Sequence, residues 1–152
     1  VARQPARAVR QIERALVMNP EATETYALLG LAREDAGDLA GAEAAVQEAL
    51  LLEPDFTHAF ATLARVHMKQ GRRDAALEVA ARMRALEARG YVSPTDQAKL
   101  ALGLGDYDAA FAAMERAYAE RRGWLVYRKV DPLFDPVRGD ARFGELVRRM
   151  GL

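Results

Sequence analysis

The sequence has no cysteine, one tryptophan and one asparagine, and no net charge: 22 lysines and arginines face 22 aspartates and glutamates. Without cysteine there are no disulfides, no thiolate nucleophile and no Cys-ligated zinc or iron–sulfur site. Without net charge there is no global field to draw in nucleic acid or an anionic membrane, so neither is an expected partner. No apolar run approaches the roughly 18–20 residues that span a bilayer. The amino terminus shows no charged segment followed by an apolar stretch, so no signal peptide is visible, and a cytoplasmic location without membrane insertion is the expectation. Val1 is not an initiator methionine, which suggests a chain cut from a longer protein. What remains is 51% hydrophobic and 29% charged residues over 152 positions, the make-up of a folded domain rather than a disordered one.

β-branched alternation is nearly absent, while alanine is abundant and leucine recurs at helical spacing. A period of 34 residues, the length of a helix–turn–helix repeat, runs through the chain. Gly37, Gly71 and Gly105 keep it, as do Ala8, Ala42, Ala76 and Ala110. So do Pro20 with Pro54, Tyr26 with Phe60, and Leu29 with Leu63. The glycines suit a left-handed residue past the end of a first helix. Asp38 and Asp74 suit the positive end of a second helix. The alanines let two helices approach, the large side chains fill the space beside them, and the prolines separate one pair from the next.

Helices are therefore predicted near 5–18, 22–35, 39–52, 56–69, 73–88, 94–103 and 107–121. Pro94 is expected at a first helical position, with Ser93 and Asp96 as a capping box. After Arg122 the period breaks. Two Asp-Pro steps, Asp131-Pro132 and Asp135-Pro136, precede a last helix from near Asp140 with Phe143, Leu146, Val147 and Met150 on one face. Terminal units of a stack must cover an open apolar face, and this tail is the candidate cap, with Trp124 and Tyr127 expected to pack in it rather than stack on a ligand.

Little in the chain points to chemistry. His58 and His67 stand nine apart, off any shared helical face, so no common metal site is expected. Glu34-Asp35 and Glu43 with Glu48 have the look of solvated helix faces. Gly103-Leu104-Gly105 belongs to a helix turn, and there is no phosphate loop, nucleophile elbow or paired-histidine zinc motif. The expectation is a non-enzyme with no catalytic residue, metal or cofactor.

Glu21 to Pro54, with Tyr26, Leu29-Gly30, Gly37, Ala42, Ala49 and Pro54, resembles the tetratricopeptide repeat (TPR) family. Asp55 to Ala88 repeats the pattern with Phe60, Leu63-Ala64, Gly71 and Ala76, ending in Ala88 rather than proline. The third unit keeps Gly105, Tyr107, Ala110 and Ala117 but has Pro94 where the aromatic stood. The resemblance implies an all-α fold, a right-handed superhelical stack of antiparallel helix pairs (an alpha solenoid) with a C-terminal capping helix. It divides the chain into a half repeat 1–20, repeats 21–54, 55–88 and 89–121, and a capping segment 122–152. Trp124 to Val126, Asp131 to Pro136 and Phe143 to Leu146 resemble the closing segment of such arrays in bacterial multidomain regulatory proteins.

The family's concave groove is lined by its first helices. Carried over, that places Glu24, Leu28, Leu31 and Asp35 in the groove, then His58, Thr62, Arg65 and Lys69, then Thr95 and Lys99, with His67 packed inside its repeat. An acidic peptide could dock through Arg65, Lys69 and Lys99. The version that clamps a carboxylate terminus with asparagines is not expected, because Asn19 precedes the first complete unit. The implied role is a protein–protein interaction module or scaffold binding a peptide or protein segment. The alternative is a self-associating or spacer module, a homodimer through exposed repeat ends. A small-molecule or nucleic-acid sensor has only the runs Arg72-Arg73, Arg121-Arg122 and Arg148-Arg149 in its favour.

Overall fold

Each 34-residue unit contains two runs of good helix formers separated by a glycine, and each run is too apolar on one face to stand alone. The computed structural model describes residues 5–121, 123, 125–126 and 131–151. Its helices are α1 (Pro5–Met18), α2 (Thr23–Asp35), α3 (Leu39–Leu52), α4 (Thr57–Lys69), α5 (Arg73–Arg89), α6 (Pro94–Leu104), α7 (Tyr107–Ala119) and α8 (Ala141–Arg149), with a 3-10 turn at Pro132–Val137 before α8. There is no strand among the described residues. Every predicted helix is present, with ends displaced by no more than a residue or two. No helix among the described residues is long and apolar enough to cross a membrane.

The turns are made the same way three times. Gly37, Gly71 and Gly105 have φ of 82°, 74° and 74°. The following amide reaches back to the carbonyl five residues earlier: Asp38 to Arg33 at 2.9 Å, Arg72 to His67 at 2.8 Å and Asp106 to Ala101 at 3.0 Å. This is the Schellman closure, in which glycine takes the left-handed position at no steric cost. The next helix is then capped by Asp38 on the Gly41 amide and by Asp106 on the Ala109 amide. Asp74 sits in the first turn of α5 instead. Ser93 makes no side-chain cap, and the expected capping box is absent: Asp96 turns inward, while Pro94 does take the first helical position.

α2 packs on α3, α4 on α5 and α6 on α7; α2, α4 and α6 also touch in succession, and α1 lies on α2. Two columns of small residues set the spacing. Ala42, Ala76 and Ala110 are fully buried on the second helices, and Ala64 and Ala98 on the first. Gly30 takes the equivalent place on α2, where an added Cβ would lie 2.4 Å from Val46 Cγ2. At the carboxy-terminal end Phe134, Val137, Phe143 and Leu146 bury themselves with Phe111 and Met114 of α7, the two phenylalanines of the cap 5.6 Å apart between ring centroids. Trp124 and Tyr127 lie outside the described residues.

Enlarging a small-residue column should force the pair apart. Ala76→Leu is expected to destabilise the chain by about 1–3 kcal/mol, seen as a lower urea midpoint, whereas Leu77→Ala on the exposed side of α5 should change stability by no more than roughly 0.5 kcal/mol.

Candidate functional site

Successive packing of α2, α4 and α6 leaves their outer faces lining a groove of about 580 Å³. Of the ten residues predicted for it, nine line it: Glu24, Leu28, Leu31 and Asp35 from α2, His58, Thr62, Arg65 and Lys69 from α4, and Lys99 from α6. Thr95 does not. Counting by 34, Asp96 rather than Thr95 follows Leu28 and Thr62, and α6 starts late, at Pro94. Sequence reasoning missed the other wall, where Asp131, Pro132, Leu133 and Pro136 close the groove. These residues lie outside the repeat, so no register points to them. It also missed Phe56, Met68 and Leu102 on the floor.

The main correction concerns Glu34. It is not a solvated surface carboxylate but is 5% exposed. Arg65 grips it with two hydrogen bonds, Nε to Oε1 at 3.0 Å and Nη2 to Oε2 at 2.8 Å. Lys69 Nζ adds a third at 2.9 Å. Arg65 also donates to Thr62 Oγ1 at 3.3 Å. Its aliphatic stem lies against Gly103, where an added Cβ would meet Arg65 Cγ at 2.5 Å. Burial pushes the Glu34 carboxyl up, but the hydrogen bonds and charges of Arg65 and Lys69 outweigh it and hold the pKa below its ordinary value. Arg65 and Lys69 are thus committed to Glu34 within the chain. The signal was present in the sequence: the positions 34 residues on are Met68 and Leu102, so Glu34 is a charge in an otherwise apolar column.

A second buried carboxylate joins α4 to α6. Asp96, 1% exposed, accepts from Thr57 Oγ1 at 2.6 Å and pairs with His58 Nδ1 at 2.7 Å. The His58 ring is tilted against Phe56, 5.4 Å between centroids, and its side chain is 64% exposed. The Asp96 hydrogen bond raises the His58 pKa; desolvation and the charge of Lys99 oppose this, and Glu24 assists. Burial lowers the Lys99 pKa, partly offset by Asp96 and Asp131. His67 is buried as predicted, with Arg72 Nη2 2.5 Å from its Nδ1. Three of the paired arginines are tied down: Arg72 to Glu43, Arg148 to Glu145 and Arg149 to Glu115. Arg122 lies outside the described residues.

Two outcomes follow for stability. Glu34→Ala removes the partner of a mostly buried guanidinium and should destabilise by about 3 kcal/mol, measured by chemical denaturation. His58 has a raised folded-state pKa, so its contribution is complete below its ordinary value of 6.5 and fades as pH rises through the folded value. The wild-type chain should therefore lose stability over that rise in pH, and His58→Gln should show a flatter profile over the same window. Glu34 acts in the opposite sense: its contribution is lost as pH falls through its lowered pKa.

Comparison with known families agrees with this architecture. Two family models described as tetratricopeptide repeat match the sequence, one over residues 1–56 and the other over residues 34–90. No curated protein matches the chain. The two matches together run over residues 1–90, through α1 to α5, and the helix pairing continues beyond them into α6 and α7. The chain belongs to the tetratricopeptide repeat family.

Proposed function

We propose that the groove binds a segment of another protein, seated by apolar side chains on Leu28, Leu31, Met68 and Leu102 and oriented by the charged rim. The family as a whole mediates protein–protein interaction or scaffolding and is generally non-catalytic. The observation that carries the reading for this chain is the groove itself. It has an apolar floor shared by three helices, a wall of Pro132 and Leu133, and ion pairs that are already satisfied. An acidic peptide anchored on Arg65 and Lys69 would have to compete with Glu34 for both cations, which favours apolar anchoring over a charge clamp. Reversing the charge of Arg65 and Lys69 is for the same reason a poor test of binding, since it leaves Glu34 buried and unpaired.

The proposed module consists of the half repeat 1–20, repeats 21–54, 55–88 and 89–121, and a cap 122–152, serving as the docking part of a larger bacterial regulatory protein. The likeness of Asp131 to Pro136 and Phe143 to Leu146 to the ends of such arrays supports that setting.

A photo-crosslinking residue placed at Met68, on the groove floor, should capture a partner that the same residue at Leu77, on the exposed face of α5, does not. The partner captured at Met68 should no longer bind a folded Met68→Glu variant and should still bind Leu77→Glu. Capture from Leu77 alone would overturn the groove reading.

A further inference from the structure

The cations of the groove are answered within the chain. Arg65 and Lys69 are held by Glu34, and Lys99 lies in the fields of Asp96 and Asp131. One ring nitrogen is not answered. His58 Nδ1 sits 2.7 Å from the buried Asp96, whose carboxylate also accepts from Thr57 Oγ1. A carboxylate accepts and does not donate, so the hydrogen between the two belongs to Nδ1. The two ring nitrogens point in nearly opposite directions, so the buried partner turns Nε2 away from the core and toward the groove that His58 lines. Phe56 packs on the ring. Nε2 itself takes no hydrogen bond among the described residues. The side chain is thus fixed at one nitrogen and unsatisfied at the other.

Given that the groove takes a protein segment, we propose that His58 is its polar anchor. Nε2–H donates to a backbone carbonyl of an uncharged segment, which therefore binds more tightly as pH falls. A segment that fills the groove excludes water from Nε2. A charged donor buried without an acceptor is costlier than a neutral one, so the segment must supply an acceptor there. The charges around the ring decide which kind. On α4 itself Arg65 and Lys69 are matched by Glu34, and α6 brings Asp96 and Lys99. The wall brings Asp131, beside Lys99. α2 brings Glu24, exposed and in no ion pair among the described residues. An added carboxylate would be repelled by Glu24 and would compete with Asp96 for His58 and Lys99. A neutral carbonyl meets neither penalty. The Asp96 hydrogen bond raises the His58 pKa, against desolvation and Lys99 and with help from Glu24. The Nε2–H donor is present below that pKa and is lost as pH rises through it. Linkage is reciprocal, so a segment held by Nε2–H must raise the same pKa further.

The test pans a phage-displayed library of random peptides on the whole chain at about pH 5.5, keeping those that a folded Met68→Glu variant no longer binds. Among these, peptides without Asp, Glu or His should bind the wild-type chain at least about tenfold less tightly at about pH 8.5. His58→Gln, whose amide can still donate to Asp96, should bind them equally at both pH values. Asp96→Asn should move the midpoint of the affinity profile to lower pH, which a merely structural role would not do. The chain has two histidines, and His67 is buried, so the exposed His58 ring can be followed by NMR. Its titration midpoint should rise when a groove peptide binds, a readout that needs no variant to fold. A pH slope that persists in His58→Gln, an affinity that rises with pH, or a His58 midpoint unmoved by peptide would overturn the proposal and leave the groove reading standing. So would groove binders that all require Asp or Glu. A library that yields no peptide sensitive to Met68→Glu defeats the groove reading itself, and the anchor with it.

Discussion

The distance between the two helices of a pair is the constraint on which the other features rest. It is set where Gly30, Ala64 and Ala98 of the first helices meet a second-helix column that includes Ala42, Ala76 and Ala110. With a methyl group or less on the first-helix side, the backbones come close enough for large neighbours such as Phe60 and Met114 to be fully enclosed. Dense enclosure matters because a void beside a large side chain forfeits much of the stabilisation that its burial supplies. Once the pair is fixed, a glycine turn of the same geometry sends each chain back on itself, and the first helices are left side by side. The groove is a consequence of that arrangement rather than a separate structure.

The same closeness explains why carboxylates survive in its walls. Glu34 and Asp96 would be heavily penalised alone, but each is met by groups from an adjoining first helix: Arg65 and Lys69 for one, Thr57 and His58 for the other. Such pairs add little net stability over apolar residues of similar size. Their effect is on order. Were the units exchanged, Glu34 would face a different helix without its two cations, an error far costlier than a misplaced leucine. The columns that are apolar elsewhere and charged here thereby distinguish one repeat from the next.

How much of this was legible follows from what repeats. The helices from α1 to α7 were visible because glycine, alanine and large side chains each keep one period, and three independent columns cannot all drift together. The groove positions were legible for the same reason wherever the register was followed, and Thr95 failed where it was not, since Asp96 occupies the column. What the sequence did not disclose is pairing. Arg65 and Lys69 look like free cations until α2 is set beside α4, and Glu34 looks solvated because its neighbour Asp35 is. Nor could Pro132 and Leu133 be placed against the groove, because a segment outside the period carries no register to say which surface it meets.

The two ends of the array put the same physical demand in different ways. Stacking leaves each terminal pair with a face shaped to receive another helix, and an unreceived face exposes apolar surface to water. At the carboxy-terminal end Phe134 and Phe143 meet that demand by lying against α7, with the 3-10 turn and α8 in place of a further pair. At the other end Ala8 and Ile12 are half-buried, Ile12 packing with Val9 and Tyr26 against Leu16 and Leu29. The arginines that α1 carries at positions 7, 10 and 14 lie on its exposed sides, so Val9, Ile12 and Leu16 are turned to α2 and the arginines to water. One end is thus closed by a segment outside the period, and at the other, among the described residues, α1 is held by its packing on α2.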